Sequence, residues 1–215
     1  MAQNDSKTYL KKLLRTPLER SFCIAVDGGY LACVKKLKRI PDLSIGDWDS
    51  FKNGHSKAES RTVITLATQK DKSDLALALD EVRNEFQERN GITIEALGFV
   101  GGRLDHQLAV LQDCSHFMVQ TRGARVWLRS VKQDISFVTQ RNPSLKLSLL
   151  PGQSVSILSM TAVCRGVHLY GFYYPVRDGI LKSGSHGLSN VVRLKRQEIH
   201  LRTGVSVVIV NNRHV

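Results

Sequence analysis

Two carboxylates stand two positions apart in the segment Gly46-Asp47-Trp48-Asp49-Ser50, directly after a short apolar run. On an extended segment, residues i and i+2 point to the same side, so Asp47 and Asp49 can face one cation. Ser50 can donate a hydrogen bond to a phosphate oxygen or cap a turn. The structural alternative is a pair of turn-forming aspartates around Trp48, whose ring then packs in the core.

Chemically active side chains also occur in three other segments, each of which directly follows an apolar run. These segments are Asp27-Gly28-Gly29, Lys70-Asp71-Lys72-Ser73-Asp74 and Gly98 to His106. In a parallel sheet, ligands bind beyond the carboxyl ends of the strands, so one fold assumption gathers all four loops at one edge. Six carboxylates then meet there: Asp27, Asp47, Asp49, Asp71, Asp74 and Asp105.

Six carboxylates at one edge repel one another unless cations neutralise them. Oxygen ligands without a Cys or His cluster indicate Mg²⁺. Groups that bind phosphate accompany them, namely the backbone amides of Gly28-Gly29 and Gly101-Gly102, the guanidinium of Arg103, and Lys70. Together these features indicate Mg-nucleotide chemistry. The sequence lacks the pattern GxxxxGK[ST], and Gly98 to Gly102 does not follow GxGxxG, so P-loop and ordinary dinucleotide sites are disfavoured.

Strands alternating with helices in the first part of the chain predict a doubly wound, mostly parallel α/β fold that positions these loops. The apolar runs predict five strands, at residues 22–26, 43–45, 63–66, 92–99 and 124–128. Apolar residues at helical spacing predict helices after the first, third and fourth strands. Residues 1–20 are polar and basic, and we expect a short helix or an arm there.

The pattern changes after residue 131, where short apolar runs alternate with turns and helical periodicity is absent. Leu145, Leu147 and Leu149 alternate with polar residues, which is typical of an antiparallel sheet with one face in water. The sequence therefore predicts an α/β catalytic domain at 1–131 and an antiparallel β-sandwich at 132–215.

The net charge of +12 is concentrated in the second part of the chain, since residues 121–215 contain 14 Lys and Arg against 3 Asp and Glu. These basic residues occur singly, without a dense block or an aromatic stacking platform, so nucleic-acid binding is disfavoured. The chain has no apolar run of about 20 residues and begins with a polar segment, so we expect no membrane span and a cytoplasmic location. The four cysteines form no CxxC pair, and we expect buried free thiols.

Five motifs, in this order and at this spacing, resemble those of the thiamin pyrophosphokinase family. They are Asp27-Gly28-Gly29, Gly46-Asp47-Trp48-Asp49-Ser50, Lys70-Asp71-Lys72-Ser73-Asp74, Gly101-Gly102-Arg103-Leu104-Asp105-His106 and Gly187-Leu188-Ser189-Asn190. The resemblance implies an α/β catalytic domain followed by a β-sandwich, and a homodimer with active sites at the subunit interface. It also implies transfer of a pyrophosphoryl group from Mg-ATP to the hydroxyl of thiamin, with AMP as the second product.

The resemblance also implies a role for individual residues. Mg²⁺ and the triphosphate would be bound by Asp47, Asp49, Asp71 and Asp74, and Arg103 would assist catalysis at the phosphates. The remaining nucleotide-binding residues would be Asp27, Gly28, Gly29, Ser50, Lys70, Gly101, Gly102, Asp105 and His106. Ser189 and Asn190 would help to form the thiamin pocket.

Structural alternatives stay open for single residues: Asp71 or Ser73 as a helix cap, and His106 as an orienting residue. The sequence departs from the family in two places, since Ser73 replaces the usual Thr, and residues 1–20 lack the usual first strand and glycine loop. Two other functions also fit the residues. One is an enzyme of the same fold that acts on another alcohol, such as a pterin or a thiamin analogue, and the other is a non-enzymatic nucleotide- or nucleic-acid-binding module.

Overall fold

The computed structural model describes residues 17–47, 60–67, 71–86 and 91–212. The chain divides into two compact units, Met1–Glu85 and Phe86–Val215. Parallel strands with helices come first in the chain, and mostly antiparallel sheets follow, as the sequence predicts. The arm or helix expected at residues 1–20 lies mostly outside the described residues, which begin with a short 3-10 helix at Leu18–Arg20.

The first unit contains a sheet of three parallel strands in the order β1-β2-β3. Their bounds are β1 Ile24–Val26, β2 Leu43–Gly46 and β3 Thr62–Thr65. Helix α1 connects β1 to β2; it begins as Gly29–Leu31 and continues as a π-helical segment, Ala32–Leu37. It ends at Lys38, which adopts a left-handed conformation with φ 55°.

Packing in the first unit joins α1 to the sheet. Ala25 of β1 and three α1 side chains, Tyr30, Cys33 and Leu37, form one buried cluster. Helix α2, Asp74–Phe86, buries Leu75, Ala78, Leu79 and Val82. This spacing is the one-sided apolar stripe that the sequence predicts.

The second unit contains a sheet of six strands in the order β11-β8-β13-β6-β5-β4 and a sheet of four in the order β10-β9-β12-β7. The strands are β4 Ile92–Leu97, β5 Ala124–Arg129, β6 Gln133–Thr139, β7 Ser144–Leu147, β8 Ser154–Ser159, β9 Val163–Tyr170, β10 Val176–Lys182, β11 Asn190–Val191, β12 Gln197–His200 and β13 Val205–Asn211. Helix α3, Leu104–Gln120, connects the parallel pair β4 and β5. Buried residues of both sheets share one apolar cluster, so the two sheets form the predicted sandwich.

The predicted domain boundary at residues 131/132 falls between β5 and β6. These strands are hydrogen bonded in one sheet, with Leu128 opposite Ile135. The compact units instead divide between Glu85 and Phe86. The sequence pattern therefore changes at a different position from the division into compact units. Helical periodicity ends after residue 131, but the six-stranded sheet continues from β5 to β6. The division into 1–131 and 132–215 stays a prediction.

Among the described residues, no helix is long and apolar enough to cross a membrane.

Candidate functional site

Asp27 and Asp47 follow neighbouring parallel strands, and both are partly buried. The Asp27 amide donates to the Ile45 carbonyl at 2.8 Å, which fixes the end of β1 beside the end of β2. A Cβ at Gly46 would lie 3.0 Å from Asp27 Cα and 3.2 Å from Asp27 N. Glycine at position 46 therefore permits the close approach of the two strand ends that carry the carboxylates.

The chemistry of this donor pair fits Mg²⁺, which prefers carboxylate oxygens and is often held by only one or two of them together with water and phosphate oxygens. Within residues 17–47, 60–67, 71–86 and 91–212, no group of three or more His, Cys, Asp or Glu side chains is arranged to hold a metal. Asp49, the partner of Asp47 in the sequence motif, lies outside these ranges. The other three predicted ligands, Asp47, Asp71 and Asp74, are described and do not form such a group.

The loop before α2 is hydrogen bonded to the first turn of that helix. Ser73 Oγ accepts from the Ala76 amide at 3.0 Å, which makes Ser73 the N-cap. The cap interpretation is therefore confirmed for Ser73. Asp74 is partly buried in the first turn, where its negative charge suits the helix dipole, whereas Asp71 is exposed.

In the second unit, the turn after β4 depends on two glycines with positive φ, 93° at Gly101 and 114° at Gly102. An added Cβ at either position would meet nothing within 4 Å, so backbone conformation, rather than crowding, requires glycine here. Gln107 holds the turn, since its Oε1 accepts from the Gly101 amide at 3.2 Å and its Nε2 donates to the Gly102 carbonyl at 3.1 Å. Gln107 was not among the residues predicted from the sequence, although its position in the first turn of α3 is a signal for such a contact.

Arg103 and Asp105 form an exposed, bidentate ion pair at the N-terminus of α3. Arg103 Nε donates to Asp105 Oδ1 at 3.2 Å, and Arg103 Nη2 donates to Asp105 Oδ2 at 2.6 Å. The hydrogen bond from Arg103, with help from the His106 amide at 2.9 Å, lowers the pKa of Asp105 to about 2. Arg103 Nη1 makes no hydrogen bond to a described residue, so the guanidinium is oriented by Asp105 and keeps donors for an anion. The His106 side chain is exposed.

The turn Gly187-Leu188-Ser189-Asn190 is packed against β8. Gly187 has a φ of 99°, and a Cβ there would collide with the Ile157 carbonyl oxygen. Backbone and side-chain bonds reinforce this contact, because the Ile157 amide donates to Gly187 O at 2.9 Å and the Ser189 amide donates to Ser156 Oγ at 3.0 Å. The Ser189 side chain is exposed.

Asn190 is buried and its amide group is occupied by backbone. Its Oδ1 accepts from the Tyr174 amide at 3.2 Å and from the Val191 amide at 2.8 Å. Its Nδ2 donates to the Tyr174 carbonyl at 2.9 Å. These contacts favour the structural interpretation of Asn190 as the residue that holds the turn, and they leave Ser189 as the accessible polar side chain of the pair.

Other predicted site residues have simpler outcomes. Gly28 and Gly29 lie at the junction of β1 and α1, and an added Cβ at either would meet nothing within 4 Å. Trp48, Asp49, Ser50 and Lys70 lie outside the described residues, and their roles stay predictions. The structure describes Asp27, Asp47, Asp71 and Asp74 in the first unit, and the glycine turn, Arg103 to His106 and Ser189-Asn190 in the second.

Several solved structures resemble the chain. A thiamine pyrophosphokinase from Bacillus subtilis is 23% identical, with 88% of this chain and 87% of that chain covered and a TM-score of 0.69. A thiamin pyrophosphokinase family protein from Enterococcus faecalis is 22% identical, with 88% of each chain covered and a TM-score of 0.70. The thiamin pyrophosphokinase from Candida albicans is 14% identical, with 88% and 81% covered and a TM-score of 0.69. At these identities the likeness shows the fold.

No match was found among curated protein sequences. The sequence-family model of the thiamin pyrophosphokinase catalytic domain matches residues 15–128, slightly more than half of the 215 residues. This segment contains the four motifs at 27–29, 46–50, 70–74 and 101–106. The chain therefore belongs to the thiamin pyrophosphokinase family.

Proposed function

We propose that the protein is a thiamin pyrophosphokinase, which transfers the pyrophosphoryl group of Mg-ATP to the hydroxyl of thiamin and releases AMP. The observation that carries the proposal is the family match over residues 15–128. Within the matched segment, carboxylates follow two adjacent parallel strands, and a glycine turn with an oriented arginine follows another. These are the groups that phosphoryl transfer requires, since its catalysis consists mainly of positioning and charge neutralisation.

The acidic residues provide the metal site in this proposal. Asp47, Asp49, Asp71 and Asp74 would hold Mg²⁺, with Asp27 beside them. Bound Mg²⁺ neutralises charge on the phosphate oxygens. Asp71, which is exposed, or Asp74, which is partly buried, would accept the proton of the thiamin hydroxyl.

Arg103 binds a phosphate oxygen of the nucleotide through the donors that Asp105 leaves unused. The planar guanidinium is held by two hydrogen bonds, so little orientational freedom remains to be lost when the anion binds. The backbone turn at Gly101-Gly102 precedes the N-terminus of α3, where the helix dipole favours negative charge. Gln107 maintains this turn as a positioning residue.

Thiamin binding involves the turn before β11. Ser189 offers an exposed hydroxyl to the substrate, while Asn190 holds the turn from beneath. The family resemblance further supports a homodimer with active sites at the subunit interface. Analytical ultracentrifugation is then expected to show a species of twice the 24.0 kDa chain mass.

A product assay tests the proposed function. The protein is incubated with Mg-ATP and thiamin, and mass spectrometry is expected to show thiamin diphosphate and AMP in equal amounts. EDTA is expected to abolish the reaction, and added Mg²⁺ to restore it. Turnover of a pterin or of a thiamin analogue, without turnover of thiamin, would establish the same-fold alternative. Absence of turnover together with nucleic-acid binding that weakens steeply with salt would establish a binding module.

A further inference from the structure

Two thiols that are ten positions apart in the sequence are neighbours in the first unit. Cys23 lies just before β1 and Cys33 lies in α1, and their Sγ atoms are 3.9 Å apart. The packing of α1 on β1 brings them together, with Cys33 in the buried cluster of this unit and Cys23 packed against it. Because a disulfide requires Sγ atoms about 2.0 Å apart, the two sulfurs must approach by about 1.9 Å for the bond to form.

The surroundings favour reaction at Cys23. Its side chain is partly exposed, whereas Cys33 is only 8% exposed. The hydrogen bond with Cys33 lowers the pKa of the Cys23 thiol, with help from the Arg39 guanidinium and against the opposing effects of burial and of the Asp42 carboxylate. Arg39 is fixed beside this position, since its Nη2 donates to Ser21 O at 2.6 Å and to Asp42 Oδ2 at 2.7 Å. A thiolate is the reactive form of cysteine, so Cys23 is the thiol that reacts first.

We propose that Cys23 and Cys33 form a thiol-oxidation site, at which hydrogen peroxide converts the two thiols into a disulfide that links the residue just before β1 to α1. The Cys23 thiolate attacks one peroxide oxygen, the O–O bond breaks, and Cys23 sulfenic acid and one water form after protonation. The Cys33 sulfur then attacks the Cys23 sulfur, the S–O bond breaks, and a second water leaves. The two thiols lose two electrons, and these reduce the peroxide to two waters.

The other two cysteines, Cys114 and Cys164, are buried and lack a neighbouring thiol in the described part of the chain. Cys114 is buried in α3, and burial raises the pKa of its thiol to about 12. Cys164 is buried in the sandwich, with Sγ 3.2 Å from Ser159 Oγ and 3.3 Å from Val205 O. In the part of the chain that the structure describes, neither sulfur lies beside another thiol. Both therefore serve as internal controls for selective oxidation.

The ring closed by this disulfide contains Asp27-Gly28-Gly29. Oxidation would therefore restrict the backbone that carries Asp27, which lies beside the metal site in the proposed function. The inference does not depend on the proposed function, because the bond is detected chemically and not through turnover.

Peptide mapping tests the proposal on the full chain. The segment Ser21–Lys35 contains both cysteines and no internal Lys or Arg, so trypsin releases them in one peptide. After treatment with hydrogen peroxide and alkylation of free thiols, this peptide is expected to be unalkylated and lighter by two hydrogens, and dithiothreitol is expected to reverse both changes. Cleavage after Tyr30 separates the cysteines in the sequence, so a cross-linked pair of fragments identifies the bond directly. The two thiols are expected to disappear at least about tenfold faster than those of Cys114 and Cys164.

Two variants complete the test, with circular dichroism as a check on folding. Cys33→Ala is expected to retain oxidation at Cys23, seen as added oxygen or as an adduct, and to lose the internal disulfide. Cys114→Ala is the matched control and is expected to form the disulfide like the parent protein. The proposal is overturned if the peptide of residues 21–35 stays fully alkylatable while other cysteines are oxidised, or if Cys33→Ala does not change the product at Cys23.

Discussion

The loops that follow β1, β2 and β4 differ from the turn that precedes β11, although all of them combine glycine with small polar or charged residues. At Gly101 and Gly102 an added Cβ would meet nothing within 4 Å, and Arg103 and Asp105 are exposed. At Gly187 the same atom would collide with Ile157 O, and Asn190 is buried among backbone partners.

This difference separates two uses of the same residue types. In the loop after β4, glycine gives the backbone an unusual conformation while the polar groups remain accessible. In the turn before β11, glycine permits close packing and the polar side chain is used to maintain the backbone. We therefore expect substitutions in the first region to lower turnover in a folded protein, and substitutions in the second to lower stability.

The largest effect is expected for Asp47→Asn, which keeps the side-chain shape and removes a charge from the metal site. Turnover should fall about a hundredfold or more, because a preorganised electrostatic group contributes on that scale. The melting temperature should be unchanged. Asp178→Asn is the control, since it removes an exposed carboxylate 3.6 Å from Arg202 and should retain activity. A folded Asp47→Asn protein with parental turnover would remove Asp47 from the site.

Gly187→Ala and Gly101→Ala compare the two regions directly. Both residues have positive φ, so each substitution strains the backbone by about 1 kcal/mol or more. Gly187→Ala adds a collision with Ile157 O, and its loss of unfolding free energy should exceed that of Gly101→Ala by about 2 kcal/mol. Denaturant titration measures both values, and equal losses would contradict the contrast between an open and a packed turn.

Asn190→Ala should lower the unfolding free energy by about 1–2 kcal/mol, because backbone groups of Tyr174 and Val191 lose the partners that the buried Asn190 amide provides. Ser189→Gly is the matched variant, since glycine readily adopts the φ of 56° found there and only the hydroxyl is lost. Ser189→Gly should raise the KM for thiamin with little change in stability. An Asn190→Ala protein of parental stability and raised KM would instead assign Asn190 a direct substrate contact.

The smallest effect is expected for Arg103→Lys, which keeps the charge and loses the planar fork. We expect about a tenfold decrease in kcat/KM for ATP. The single nitrogen of lysine lacks the planar geometry needed to make two hydrogen bonds to Asp105 and also donate to a phosphate. The pKa of Asp105, about 2 in the parent protein, should move up towards its usual value, and NMR titration can follow that change. Arg202→Lys, at a single exposed contact with Asp178, is the control and should behave like the parent. Unchanged ATP kinetics would show that Arg103 does not contact the nucleotide.

The sequence predicted the elements better than the contacts. Five strands and three helices up to residue 129 could be identified, because buried strands are continuous apolar runs and the helices have one apolar face. The close contact between Asp27 and Gly46 could not be predicted, because it depends on the register of β1 against β2. The contacts of Gln107 and of the Asn190 amide were not predicted for a related reason, because their partners are backbone groups that no side-chain pattern reveals. The proximity of Cys23 and Cys33 arises from tertiary packing of α1 on β1, which thiol spacing does not encode.

The antiparallel pairing of β5 with β6 has a practical consequence for dividing this protein. A fragment that begins after residue 131 would lose β5 and leave β6, with its buried Ile135 and Phe137, at an open sheet edge. Such an edge offers unpaired amides and carbonyls to other chains and favours aggregation. A fragment that begins near Phe86 keeps β4, α3 and β5 with both sheets of the sandwich. We expect the longer fragment to be the one that can be expressed and crystallised separately.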